Sequence, residues 1–147
     1  MRTPIECLLN IKSWTEDEAK NFFALQLKEL AVEEKHLLNF EAQYDTTSKK
    51  LECSPDEPVN ISEFMKLNEY LEHLLVKIQH QIRVIAEKER QVEIARKALV
   101  EATKEKKVFE KLDEKHKEAV KAEYRRKEQI GADEHAVTGH NRKENRK

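Results

Sequence analysis

The chain has 147 residues, a net charge of −1, 39% charged and 6% aromatic residues, and only two Gly and three Pro. So few turn formers beside so much Glu, Lys, Leu and Ala exclude a fold of many short elements. An apolar share of 38% is too small for a thick layered core but enough for a narrow seam between helices.

The first expected element is a helix over residues 3–50. Thr3-Pro4-Ile5-Glu6 starts it, with Thr3 as cap, Pro4 at the first helical position and Glu6 completing a capping box. Nothing interrupts it before Pro55. Ala19, Phe23, Gln26, Leu30, Glu33, Leu37, Phe40 and Tyr44 step alternately by four and three, the spacing of a coiled-coil seam. Leu8 and Ile11 fit an offset row, so the seam is expected to drift near residue 22. Cys7 and Cys53 fall near opposite ends of this helix, roughly 70 Å apart at about 1.5 Å per residue, and read as free thiols.

The bend is expected over residues 51–60. Cys53-Ser54-Pro55-Asp56-Glu57-Pro58-Val59-Asn60 is the turn signal in the middle of the chain, and Asn60 with Glu63 can cap the next helix.

The second helix is expected over residues 61–130. Phe64, Leu67, Leu71, Leu74, Ile78, Gln81, Ile85, Lys88, Val92, Ala95, Leu99, Ala102, Lys106 and Phe109 alternate by three and four without a slip. Such regularity separates a coiled coil from a disordered polyelectrolyte and implies a left-handed supercoil. Gly131 is the expected C-terminal cap, and residues 131–147 read as a flexible charged tail. The fold class is therefore all-α, two long helices forming an antiparallel coiled-coil hairpin over residues 3–130. Folding about the bend sets Tyr44 near residue 68, Leu30 near 82 and Ile5 near 107. Residues beyond about 108 are then left without an intramolecular partner, which invites a partner protein.

Charge divides along the chain. Residues 1–60 hold 7 Lys+Arg against 12 Asp+Glu, and residues 61–147 hold 21 against 17. An acidic arm beside a basic one disfavours pairing of like arms.

Several chemistries find no support. Two glycines, Gly131 and Gly139, cannot build a phosphate-binding loop. His73 and His80 lie seven apart on one helix face, with His36 across the seam, and read as solvated side chains rather than metal ligands. A two-helix rod offers no pocket for an enzyme, so no cofactor and no catalytic or metal residue is expected. The basic end Asn141-Arg142-Lys143-Glu144-Asn145-Arg146-Lys147 lacks the aromatic platform of a single-strand binder, and no nucleic-acid partner is expected. No run approaches the ~20 apolar residues of a membrane span, and the N-terminus lacks a signal peptide's apolar run. A cytoplasmic protein is expected.

One set of motifs is more specific. Arg96, Leu99 and Ala102 are followed by Lys107, Glu110 and Leu112, then Arg126-Lys127-Glu128-Gln129, then Asp133-Glu134-His135-Ala136. Near the start stand Leu8-Leu9, Glu18 and Ala19. Together these resemble the flagellar export protein FliJ family and its relatives in virulence type III secretion. Gly131 departs from the family pattern, which has a charged helix former there, and basic residues are thinner near this N-terminus.

The resemblance implies a component of the flagellar type III export apparatus that supports flagellum assembly and motility. It would be peripheral to the cytoplasmic face of the inner membrane at the flagellar base. It implies a stalk that binds a hexameric export ATPase, contacts the cytoplasmic domain of the membrane export gate, and engages export chaperones. Carried onto this chain, the ATPase-binding residues would be Leu8, Lys107, Glu110, Leu112, Arg126, Gln129, Asp133 and Glu134. The gate-binding residues would be Glu33, Leu37, Phe40, Tyr44, Tyr70, Leu74, Lys77 and Gln81. Of these, Leu37, Tyr44, Leu74 and Gln81 also fall on the seam rows, so core packing competes with a binding role. Phe40 and Tyr70 are the better anchors. Three alternatives stay open: the stalk of a non-flagellar secretion system, a prefoldin-like holdase, and a self-associating scaffold. The holdase would need β-hairpins, and no strand pattern is present.

Overall fold

A computed structural model describes residues 3–52, 58 and 60–144. Two helices account for nearly all of them, α1 (Pro4–Lys50) and α2 (Ile61–Glu144), packed against each other, with no strand among the described residues. Most of the expected bend, residues 53–57 and 59, lies outside the described residues.

The helix starts follow from local chemistry. The Glu6 amide donates to Thr3 Oγ1 at 3.1 Å and the Thr3 amide to Glu6 Oε2 at 3.3 Å, closing the capping box. Asn60 Oδ1 accepts from the amides of Ser62 and Glu63 at 3.1 and 3.4 Å. Each cap satisfies amides that a helix's first turn leaves without a backbone partner. At the end of α1, Leu51 and Glu52 donate to Ser48 and Lys49 carbonyls three residues back, tightening the last turn.

The chain divides into two compact units, a middle unit of Asp17–Glu101 and a terminal unit of Met1–Glu16 with Ala102–Lys147. In the middle unit every α1 position on the expected row, from Ala19 to Tyr44, is buried or half-buried, and the row continues to buried Thr47. On α2 the row is covered from Leu67 to Leu99, with Leu71, Leu74, Ile85 and Ala95 buried. Apolar area removed from water here is what holds the pair. The helices run antiparallel, as Lys77 over the Phe40 ring, Gln81 on Glu33 and Lys88 on Glu29 show.

These pairs bracket the register of the two helices. They set Leu30 opposite the stretch between Gln81 and Lys88, which includes the expected 82, and Tyr44 opposite residues before Lys77, where the expected 68 also lies. At the start of α2, Ile61–Lys66 are all exposed, so the covered row begins at Leu67.

In the terminal unit the seam does not drift. Leu8 and Ile11 are exposed, and the same four–three row continues through Ile5, Leu9, Lys12 and Glu16. Reading apolar residues alone misplaced it, because Lys12 and Glu16 occupy seam positions as charges. Their counterparts on α2 are Ala102, Lys106, Phe109 and Asp113. The packed stretch of α2 thus reaches Asp113, not 108, and residues 114–143 are exposed on every face.

Gly131 is not a C-terminal cap. The helix runs through it to Glu144, across most of the segment expected to be a tail, and no glycine has positive φ. One glycine costs a helix about 1 kcal/mol, which flanking Glu128, Gln129, Ala132 and Glu134 leave tolerable.

Candidate functional site

All eight residues that the resemblance carries to an ATPase ring belong to the terminal unit, and all eight are exposed. Leu8 is on the outer side of α1. Lys107, Glu110 and Leu112 flank the last seam positions of α2, and Arg126, Gln129, Asp133 and Glu134 lie on its unpaired continuation. That continuation is about 45 Å of helix at 1.5 Å per residue.

The continuation is held by its own side chains. Arg126 grips Glu123 with two hydrogen bonds, at 2.7 and 3.1 Å, one turn back. Gln129 Nε2 donates to Asp133 Oδ1 at 3.3 Å, and Thr138 Oγ1 to the Glu134 carbonyl at 2.9 Å. Glu123 raises the Arg126 pKa through this hydrogen bond. Such one-turn pairs support a helix that has no partner to pack on. Val120, Tyr124, Ile130 and Val137 are exposed among these charges as single apolar side chains.

Where the continuation leaves the packed pair, charges replace apolar side chains in the seam. Lys12 Nζ donates to Glu105 Oε2 at 2.9 Å and lies 5.7 Å from the Phe109 ring centroid. Lys106 Nζ lies 3.5 Å from Glu16 Oε1 and 3.9 Å from Glu110 Oε1. Glu16 is 4% exposed. Asp113 is buried as well, with Oδ2 3.0 Å from Lys117 Nζ, and this contact raises the Lys117 pKa. Sequence reasoning missed Lys12, Glu16, Glu105 and Asp113. The available signal was the unbroken spacing, 5, 9, 12, 16 and 109, 113, together with opposite charges on the two arms.

The eight residues carried over to the export gate all belong to the middle unit, in mixed environments. Leu74, 1% exposed, and buried Gln81 are packed into the seam. Glu33, Leu37, Phe40 and Tyr44 are half-buried. Glu33 is held by Gln81, and Phe40 lies under Lys77, whose Nζ is 5.9 Å from the ring centroid. Tyr70 and Lys77 are exposed. Of the set, Tyr70 and Lys77 are exposed and Phe40 half-buried under Lys77, beside residues that hold the helices together.

A solvent-open groove of about 600 Å³ runs beside the same seam, lined by Glu29, Val32, His80, Val84, Glu87 and Lys88 among others. Among the described residues no group of three His, Cys, Asp or Glu could hold a metal ion, and no helix is long and apolar enough to cross a membrane. Cys7 is a free, exposed thiol, and Cys53 lies outside the described residues.

Comparison with known proteins agrees with the motifs. The model of a protein family described as Flagellar FliJ protein matches residues 1–145. No curated protein and no solved structure matches the chain.

Proposed function

We propose that this chain, which belongs to the FliJ family of flagellar proteins and so is a non-enzymatic component of the flagellar export apparatus, works there as a stalk. Its unpaired helix engages the hexameric export ATPase, and its middle unit reaches the cytoplasmic domain of the export gate. The observation that carries this reading is the run of α2 from residue 114 to 143, ordered as helix yet exposed on every face. An element of that length without a packing partner is poorly explained by stability, since helical stability in water comes mainly from buried area. Interleaved Lys, Arg and Glu with isolated apolar side chains suit a contact that must not lock. A large apolar patch would bind too permanently for a turning or cycling ring.

The gate contact rests on Tyr70, Lys77 and Phe40, the accessible members of their set. Aromatic side chains are efficient anchors for another protein, and Lys77 lies over the Phe40 ring. Leu74 and Gln81 support that surface from beneath, as seam residues. Export chaperones are a further class of partner that either unit could meet, and the setting is the cytoplasmic face of the membrane at the flagellar base.

The test is the turnover of the cognate export ATPase with the full chain and with a chain ending at Asp113, which keeps all the seam. Stimulation by the full chain and none by the shortened one supports the stalk. Equal effects of both, or no complex on gel filtration, reject it.

A further inference from the structure

The terminal unit is held by a seam of a different kind from the middle unit. Lys12, Glu16, Lys106 and Asp113 take four of its eight positions, beside Ile5, Leu9, Ala102 and Phe109. Ala102 is its one buried apolar residue among those described, whereas Leu71, Leu74, Ile85 and Ala95 are buried in the middle unit. Desolvating a charge offsets much of what its ion pair returns, so charged seam positions hold helices less firmly than aliphatic ones. Asp113 Oδ1 is buried without a hydrogen-bond partner, as is Gln26 Oε1 in the middle unit, so this cost does not distinguish the two. Released from α2, the Pro4–Glu16 end of α1 keeps no buried area, from which most helical stability comes, and unwinding it returns backbone freedom. The charged seam and the sparse buried apolar area lower the free energy of opening this segment relative to opening the middle unit.

We propose that Pro4–Glu16 is a detachable strap, opening cooperatively from α2 while the middle unit stays paired. Opening bares the α2 face carrying Ala102, Lys106, Phe109 and Asp113. That face then joins the exposed run from residue 114, giving one continuous exposed helical surface from about 102 to 143. The ion pairs give the closed state its register, because Lys12 on Glu105 and Lys106 on Glu16 are lost in any slipped pairing. The strap stands on the seam alone and does not require the ring contact.

Hydrogen exchange of the full chain, resolved to single amides, tests this. The amides of Leu9–Glu16 are expected to exchange at one common rate, on the order of 100-fold faster than those of Phe23–Tyr44. In the variant Lys12→Leu, Glu16→Leu, Lys106→Leu that rate is expected to fall at least about tenfold, with Phe23–Tyr44 unchanged. The swapped variant Glu16→Lys, Lys106→Glu keeps a charged seam and is expected to keep the common fast rate. Rates that fall steadily inward from Pro4 indicate simple end fraying and overturn the proposal. Equal protection of both segments, or a leucine variant that exchanges like the unaltered chain, overturns it too.

Discussion

Gln81 reaches across the middle unit's seam to Glu33 twice, its Nε2 donating to the main-chain carbonyl at 2.9 Å and to the carboxylate Oε2 at 2.6 Å. Both residues occupy seam positions where an aliphatic side chain would pack. A polar seam pair that bonds only in one alignment sets register at some cost in stability. Glu33→Ala is expected to cost about 1–2 kcal/mol, because buried Gln81 loses a charge-assisted partner. The double variant Glu33→Leu, Gln81→Leu is expected to be as stable as the parent or more so, while gaining slipped pairings. Urea melts measure the first effect and cross-linking across the seam the second. A double variant with one unique register would show that other residues set the alignment.

Leu74 and Tyr70 separate packing from binding within the same set. Leu74 is 1% exposed and Tyr70 44%. Leu74→Ala is expected to destabilise by about 2–4 kcal/mol, the cost of a cavity that helices on both sides cannot close. Tyr70→Ala is expected to leave stability within about 0.5 kcal/mol while weakening the export-gate contact. Denaturation curves and a gate-domain pull-down of both variants check this. Loss of binding in Leu74→Ala without loss of stability would make Leu74 a contact residue after all.

The degree to which the fold was readable varied with what occupied the seam. From Leu67 to Phe109 the periodicity was carried mostly by apolar residues, with Gln81, Lys88 and Lys106 as its polar positions, and every row position in that stretch is covered in the structure. At Lys12, Glu16 and Asp113 the row continues through charges, and following hydrophobicity alone led to Leu8 and Ile11, which are exposed. The helix starts were legible because Thr3 and Asn60 cap through local chemistry. Tyr70 and Lys77 could be named from the resemblance, but their exposure, against the burial of Leu74 and Gln81, needed coordinates. The passage of α2 through Gly131 reflects the neighbours' helix preference outweighing one unfavourable residue.

Gly131 offers a direct test of the unpaired helix. A side chain there would meet nothing within 4 Å, and the backbone φ is not positive. Gly131→Ala is therefore expected to stabilise the surrounding turns by about 0.5–1 kcal/mol, through lost freedom in the unfolded chain and better helix preference. Hydrogen exchange over residues 124–138 should slow several-fold, with no change between Phe23 and Tyr44. Faster exchange in the variant would mean that the glycine is needed in a conformation other than the helix described.

The pairs Glu87 with Arg90 and Glu93 with Arg96 give the second helix a defined response to acid. In each, the hydrogen bond from arginine holds the glutamate pKa below its ordinary 4.5, desolvation opposing it and arginine's charge adding to it. A group whose folded pKa is depressed contributes stability above its unfolded value, and loses that contribution as pH falls through the folded value. The contribution of these pairs is thus complete above about pH 4.5 and fades below it. All four side chains are well exposed, so the effect on overall stability is expected to be small, and the site-resolved titration is the informative measurement. Carbon-13 titration of the two carboxyls is expected to give midpoints below 4.5. Arg90→Ala should raise the Glu87 midpoint and leave Glu93 unmoved, since each pair is local to one turn. Midpoints at or above 4.5 in the parent chain would mean that water, not arginine, solvates these glutamates.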